Sequence, residues 1–117
     1  MDDRAVGLTE ALREARAEVA ARVAEFDETT RILAEARGDS DTDDEHDPEG
    51  TTIAWDRAVS AATADSARQR LADVETALAR VEAGWDGTCV GCGRPIPVER
   101  LAVRPQADRC VECASRR

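Results

Sequence analysis

The sequence predicts a mainly α chain: an antiparallel helical hairpin with coiled-coil packing, followed by a small four-cysteine finger. Three features predict it: two apolar stripes of helical period, an acidic segment between them, and two C-x2-C pairs near the end.

The first stripe is Leu12, Val19, Phe26 and Leu33 at intervals of seven, with Leu8, Ala15, Val23 and Ala36 on the same side. Such spacing is a helical face close to a heptad seam. It predicts a helix from about residue 5 to Arg37, stopped by Gly38, which tolerates the left-handed conformation past a helix end. Residues 38–50 form a polar segment carrying Asp39, Asp41, Asp43, Asp44, Glu45, Asp47 and Glu49 without an Arg. Asp47-Pro48 can start a second helix, the Asp capping and the Pro in the first turn; Thr51 or Thr52 is an alternative cap. The second stripe is Ala67, Leu71, Val74, Leu78, Val81 and Trp85, ending beside Gly84. Each helix is expected to hold about 30 residues and span roughly 45–50 Å at 1.5 Å per residue. Matched lengths favour pairing within one chain, with a long dimeric coiled coil as the alternative. The stripes themselves are core positions in either case.

The composition agrees with an elongated object. Of 117 residues only Phe26, Trp55 and Trp85 are Phe or Trp, and Tyr is absent. Much of the apolar content is Ala, which buries little area per residue. Every basic residue is Arg, and the net charge is −9. A net-acidic chain with acid gathered in one place is poorly suited to tracking a nucleic-acid backbone. It is better suited to a basic cavity on another macromolecule, although solubility alone would also account for it. No apolar run approaches the roughly 18 residues of a membrane span. The start, Met1-Asp2-Asp3-Arg4, lacks the basic and apolar parts of a signal peptide. A cytoplasmic location without membrane contact is therefore expected, where cysteines stay reduced.

The end of the chain reads Cys89-Val90-Gly91-Cys92, then seventeen residues, then Cys110-Val111-Glu112-Cys113. Two C-x2-C pairs separated by about 15–20 residues have the spacing of a four-thiolate zinc site. Two intervening residues let both sulfurs of a pair face one ion, and the spacer folds back to complete a tetrahedron. Gly93 suits the turn because backbone N–H groups can then approach the thiolates. Cys89, Cys92, Cys110 and Cys113 are thus the expected ligands of one structural zinc, making the finger a four-cysteine zinc finger. Iron fits the same tetrahedron, and two redox-active pairs or four unrelated buried cysteines are the non-metal readings. Four protein ligands leave no open position for a catalytic water. The segment 89–117 carries six Arg against three acids, so with a centre of charge −2 it is nearly neutral. His46 lies far off in the acidic segment. Asp39-x-Asp41-x-Asp43 begins like a calcium loop, but Asp44 stands where Gly is needed and Gly50 where Glu is needed.

The segment Cys89-x2-Cys92-Gly93-x2-Ile96-x3-Arg100-Leu101-x3-Pro105-x4-Cys110-x2-Cys113 closely resembles the finger of the DksA/TraR family, bacterial transcription regulators that bind RNA polymerase. The approach Gly84-Trp85-Asp86-Gly87-Thr88 resembles the family's helix-to-finger junction, except that Asp86 stands where an aromatic is usual and Trp85 comes one position earlier. The resemblance implies a long antiparallel coiled coil that enters the polymerase's secondary channel with an acidic tip. The family's tip motif is Asp-x-x-Asp-x-Ala. Asp56-Arg57-Ala58 matches its second half, while Ile53 replaces the first Asp. Asp47 and Glu49 are the candidates for the missing negative charge, or simply acids at a helix start. Asp56 is otherwise an ordinary exposed helix residue, and Trp55 either a contact residue or part of the packing.

The resulting expectation is a monomer with a hairpin over 1–84, its acidic tip loop at 38–50, and a zinc finger over 85–117. It acts without catalysis as a regulator of transcription initiation, its partner RNA polymerase and a nucleotide alarmone a candidate co-regulator. The rivals are a DNA-binding zinc-finger protein relying on Arg94, Arg100, Arg104, Arg109, Arg116 and Arg117, and a structural coiled-coil adaptor. An enzyme is not expected: no nucleophile is paired with a base, and no glycine loop cradles phosphate.

Overall fold

The computed structural model describes the backbone of residues 3–39 and 48–116, and side chains of 3–36 and 52–116. Helix α1 spans Asp3–Asp39 and α2 spans Pro48–Glu82, and the two pack against each other as an antiparallel hairpin. Two short helices follow in the finger, α3 at Val98–Val103 and α4 at Val111–Ser115. The described residues contain no β-strand, only one antiparallel bridge between Thr88 and Pro95. None of the described helices is long and apolar enough to cross a membrane.

Both long helices exceed the expected 30 residues, with 37 in α1 and 35 in α2. At 1.5 Å per residue α1 is about 55 Å long, and the molecule measures 61 Å along its principal axis. Gly38 does not stop α1, which continues to Asp39. Pro48 opens α2 as its fixed φ allows, ahead of the threonine alternatives. At the other end Gly84 terminates α2 as expected, with φ at +111°. The Gly84 N–H donates to the Val81 carbonyl and the Trp85 N–H to the Arg80 carbonyl, both at 3.0 Å. This is the Schellman arrangement, in which a left-handed glycine caps the last free carbonyls.

The apolar seam closes at the base of the hairpin only. Leu8, Leu12 and Ala15 of α1 pack with Val74, Ala77, Leu78 and Val81 of α2, and finger residues Ile96, Leu101 and Ala107 join the same cluster. Val19, Ala64 and Ala67 extend the buried line outward, and the Asp27–Arg68 ion pair at 2.6 Å ties the helices beyond it. Phe26 and Leu71 are half-buried. Toward the tip the expectation fails: Leu33 is 52% exposed, and Ala36 is exposed too. The α2 positions that continue the seam outward from Ala64 are Ser60, Arg57 and Ile53, all exposed. With a small polar and a charged residue there, α2 offers Leu33 little apolar surface to bury against.

Candidate metal centre and hairpin tip

Two loops present the cysteines. In the first, residues 87–89 and 94–96 run antiparallel: the Cys89 N–H donates to the Arg94 carbonyl at 2.7 Å, and the Ile96 N–H to the Gly87 carbonyl at 2.9 Å. The chain turns between them at Cys92-Gly93, where Gly93 has φ +76° and donates its N–H to the Cys89 carbonyl at 2.9 Å. The expected turn is there, but the Gly93 N–H serves a carbonyl. The N–H groups of Gly91 and Cys110 do reach a sulfur, each 3.3 Å from Cys89 Sγ. The second loop follows α3 and delivers Cys110 and Cys113 around the start of α4. It is fastened by the Val90 N–H to the Asp108 carbonyl at 2.9 Å and by Arg100 Nε to the Arg109 carbonyl at 2.6 Å.

All four Sγ atoms lie within 4.8 Å of one another. Cys92 and Cys110 Sγ are 3.9 Å apart, against about 3.8 Å for the edge of a tetrahedron with Zn–S bonds near 2.3 Å. Among the described residues no other group of three or more His, Cys, Asp or Glu side chains gathers this way. The N–H donors, that of Cys110 foremost, pull the Cys89 thiol down to about 6, while the neighbouring Cys110 sulfur leads in pushing Cys113 up to about 12. Sulfurs this close cannot all ionise without a cation among them, which is the electrostatic demand that a divalent ion meets. A further fit is Gly91: a Cβ there would lie 3.0 Å from Cys113 Sγ. The donor set therefore suits zinc in charge, distance and geometry.

The junction with α2 has its own bracing. Trp85 packs against the shared core, its Nε1 donating to the Thr88 carbonyl at 2.9 Å, with the Arg80 guanidinium 5.7 Å from its ring centroid. Asp86 accepts from the Thr88 hydroxyl at 2.6 Å and the Thr88 N–H at 3.2 Å, which hold its carboxyl below the usual range. Asp86 thus fixes the turn instead of supplying the usual aromatic. Arg80 also reaches Asp108 at 3.5 Å. Beside these, a cavity of about 530 Å³ between α2 and the finger is lined by Arg80, Arg100, Arg104, Arg109 and Arg116, with Asp73 and Asp108 among them.

The tip candidates lie at the far end of the hairpin. Asp56, Arg57 and Ala58 are exposed on α2. Asp47 falls outside the described residues; Glu49 lies in α2 but its side chain is likewise outside them. Nearby stand exposed apolar side chains: Ile32 and Leu33 on α1, and Ile53, Trp55 and Val59 on α2, with Trp55 70% exposed. Trp55 is therefore not part of the hairpin packing. The seam's period marked the face but not this exposure. Gly91 was also missed, because any residue is allowed inside C-x2-C.

Comparison with known proteins agrees with this arrangement. Residues 78–117 match the family described as the prokaryotic dksA/traR C4-type zinc finger. The RNA polymerase-binding transcription factor DksA of Caulobacter vibrioides is 41% identical over 61 residues, covering 52% of this chain and 43% of that protein. The protein of the same description from Escherichia coli K12 is 39% identical over 49 residues, 42% of this chain and 32% of that one. The matches thus span less than half the length of these relatives. The solved structure of transcription factor DksA2 from Pseudomonas aeruginosa superposes with a TM-score of 0.77 at 23% identity, covering 98% of this chain and 83% of that one. That likeness shows a shared fold. The C4-type finger and the clustered cysteines together give the chain one structural zinc.

Proposed function

We propose that the chain, whose residues 78–117 match the prokaryotic dksA/traR C4-type zinc finger, is a DksA/TraR-family transcription regulator that binds RNA polymerase, as its relatives are described to do. Cys89, Cys92, Cys110 and Cys113 hold the zinc, whose chemistry when bound is to neutralise and fix four thiolates. Residues 85–117 form the base, and the hairpin of 1–84 is a spacer carrying the acidic tip. The hairpin enters the polymerase's secondary channel as a monomer and modulates initiation through Asp56, Arg57 and Ala58, with Asp47 and Glu49 adding negative charge.

The observation that carries this reading is the exposed tip surface at the end of a helix pair about 55 Å long. Ile53, Trp55 and Val59 are exposed on the same stretch of α2 as Asp56, and Ile32 and Leu33 are exposed on the outer half of α1. Exposed apolar side chains gathered at one end mark a contact surface more readily than scattered ones do. A nucleotide alarmone is a narrower proposal. The cavity lined by five arginines supplies planar donors for phosphate, and Asp73 and Asp108 within it weaken the attraction.

The test is a binding titration of purified protein against core RNA polymerase, alongside one against duplex DNA. Saturable polymerase binding without comparable DNA affinity is expected. DNA affinity that falls steeply with salt, with no polymerase binding, supports the DNA-binding alternative instead. Binding to neither leaves only the adaptor.

A further inference from the structure

We infer that Arg4, at the start of α1, is a positioning residue for the metal centre, holding the first cysteine loop in the shape that retains zinc. The inference rests on the zinc reading above and adds a residue more than 80 positions away from the nearest ligand. The Arg4 guanidinium reaches out of the first turn of α1, and its Nη2 donates to the Gly87 carbonyl at 3.2 Å and also to the Ile96 carbonyl. Those carbonyls belong to opposite arms of the first loop, which are joined to each other by the Ile96 N–H on the Gly87 carbonyl. Gly87 lies two residues before Cys89 and Ile96 four residues after Cys92. A single side chain therefore clamps both arms where they leave the metal site.

The loop is shaped to receive this clamp. A Cβ at Gly87 would lie 3.1 Å from Arg4 Nε and 3.2 Å from Nη2, and Gly87 also has φ +89°. Glycine is thus needed at that position for both room and conformation. Gly87 and Ile96 are buried; without Arg4 the Gly87 carbonyl keeps the Ile96 N–H, whereas the Ile96 carbonyl loses the charged donor that serves it. Arg suits the task because its planar fork is rigid and stays charged, whereas a Lys ammonium is a flexible point donor. Helix energetics do not explain the choice. A cation in the first turn opposes the macrodipole, so replacing it with a neutral helix former should not weaken α1. Partners that orient ligating residues commonly change metal retention by about 10–100-fold when removed.

The test measures zinc release from the full-length, zinc-loaded chain to a chromogenic chelator for wild type, Arg4→Met and Arg4→Lys. Amide exchange is followed at Ile96, Cys89 and Val74. Arg4→Met is expected to release zinc at least about tenfold faster, with exchange raised at Ile96 and Cys89 and unchanged at Val74. Arg4→Lys should fall between the two. Release from Arg4→Met at the wild-type rate overturns the inference while leaving the zinc site intact. Faster release accompanied by an equal rise at Val74 also overturns it, because the cause is then general loss of stability. A wild-type chain that binds no zinc overturns the metal reading and this inference together.

Discussion

Gly91 and Cys113 approach so closely that a Cβ on Gly91 would stand 3.0 Å from Cys113 Sγ and 3.1 Å from its Cβ. The two residues come from different cysteine pairs, so the contact is where the loops seat against each other. Gly91 has an ordinary negative φ, and space alone therefore requires the glycine.

Gly91→Ala is accordingly expected to weaken zinc retention by about 10-fold or more while leaving the helix content unchanged. A metal-bound sulfur cannot give way as a free thiol can, so the penalty falls on the loaded state. Chelator competition with parallel circular dichroism checks this. Unchanged retention would mean that the loops have room to part.

The half-closed seam makes a second prediction. Leu12 is fully buried in the shared core and Leu33 is half in solvent. Leu12→Ala should cost about 2–5 kcal/mol of stability, and Leu33→Ala should stay near about 0.5 kcal/mol. Denaturant unfolding of the two variants separates these values. Equal costs would require the tip half to be packed as tightly as the base.

Removing the metal should reach beyond the finger. Ile96, Leu101 and Ala107 share a core with Leu8, Leu12 and Val81, and free energy of zinc binding is free energy of folding for the loops. Chelation is expected to lower Tm by at least about 10 °C. Hydrogen exchange should rise over residues 8–15 and 74–81 more than over 23–30. Increases confined to residues 85–116 would show the finger to be energetically separate from the hairpin.

The readable parts of this molecule were those whose signal is local. Two C-x2-C pairs, a glycine that ends α2 and a proline that begins it each act within a few residues. The seam was half readable. Periodicity marks a face, and Leu33 keeps the period, but its burial depends on what α2 brings opposite, and Ser60 and Arg57 at the continuing seam positions bring little. Arg4 was not readable, because nothing near it in sequence specifies carbonyls at Gly87 and Ile96. Asp86 looked like a departure from the family's junction, yet it accepts two hydrogen bonds from Thr88 and makes the turn by another route.

The most direct test of the central claim is an initiation assay with purified RNA polymerase, comparing wild type with Asp56→Asn. Asp56 is exposed on α2, far from the shared core, so the variant should fold and load zinc normally. The account predicts that wild type changes initiation and that Asp56→Asn loses most of the effect while still binding polymerase. If Asp56→Asn acts like wild type, and only neutralising Arg94 and Arg104 together abolishes activity along with salt-sensitive DNA affinity, the polymerase-channel account is contradicted.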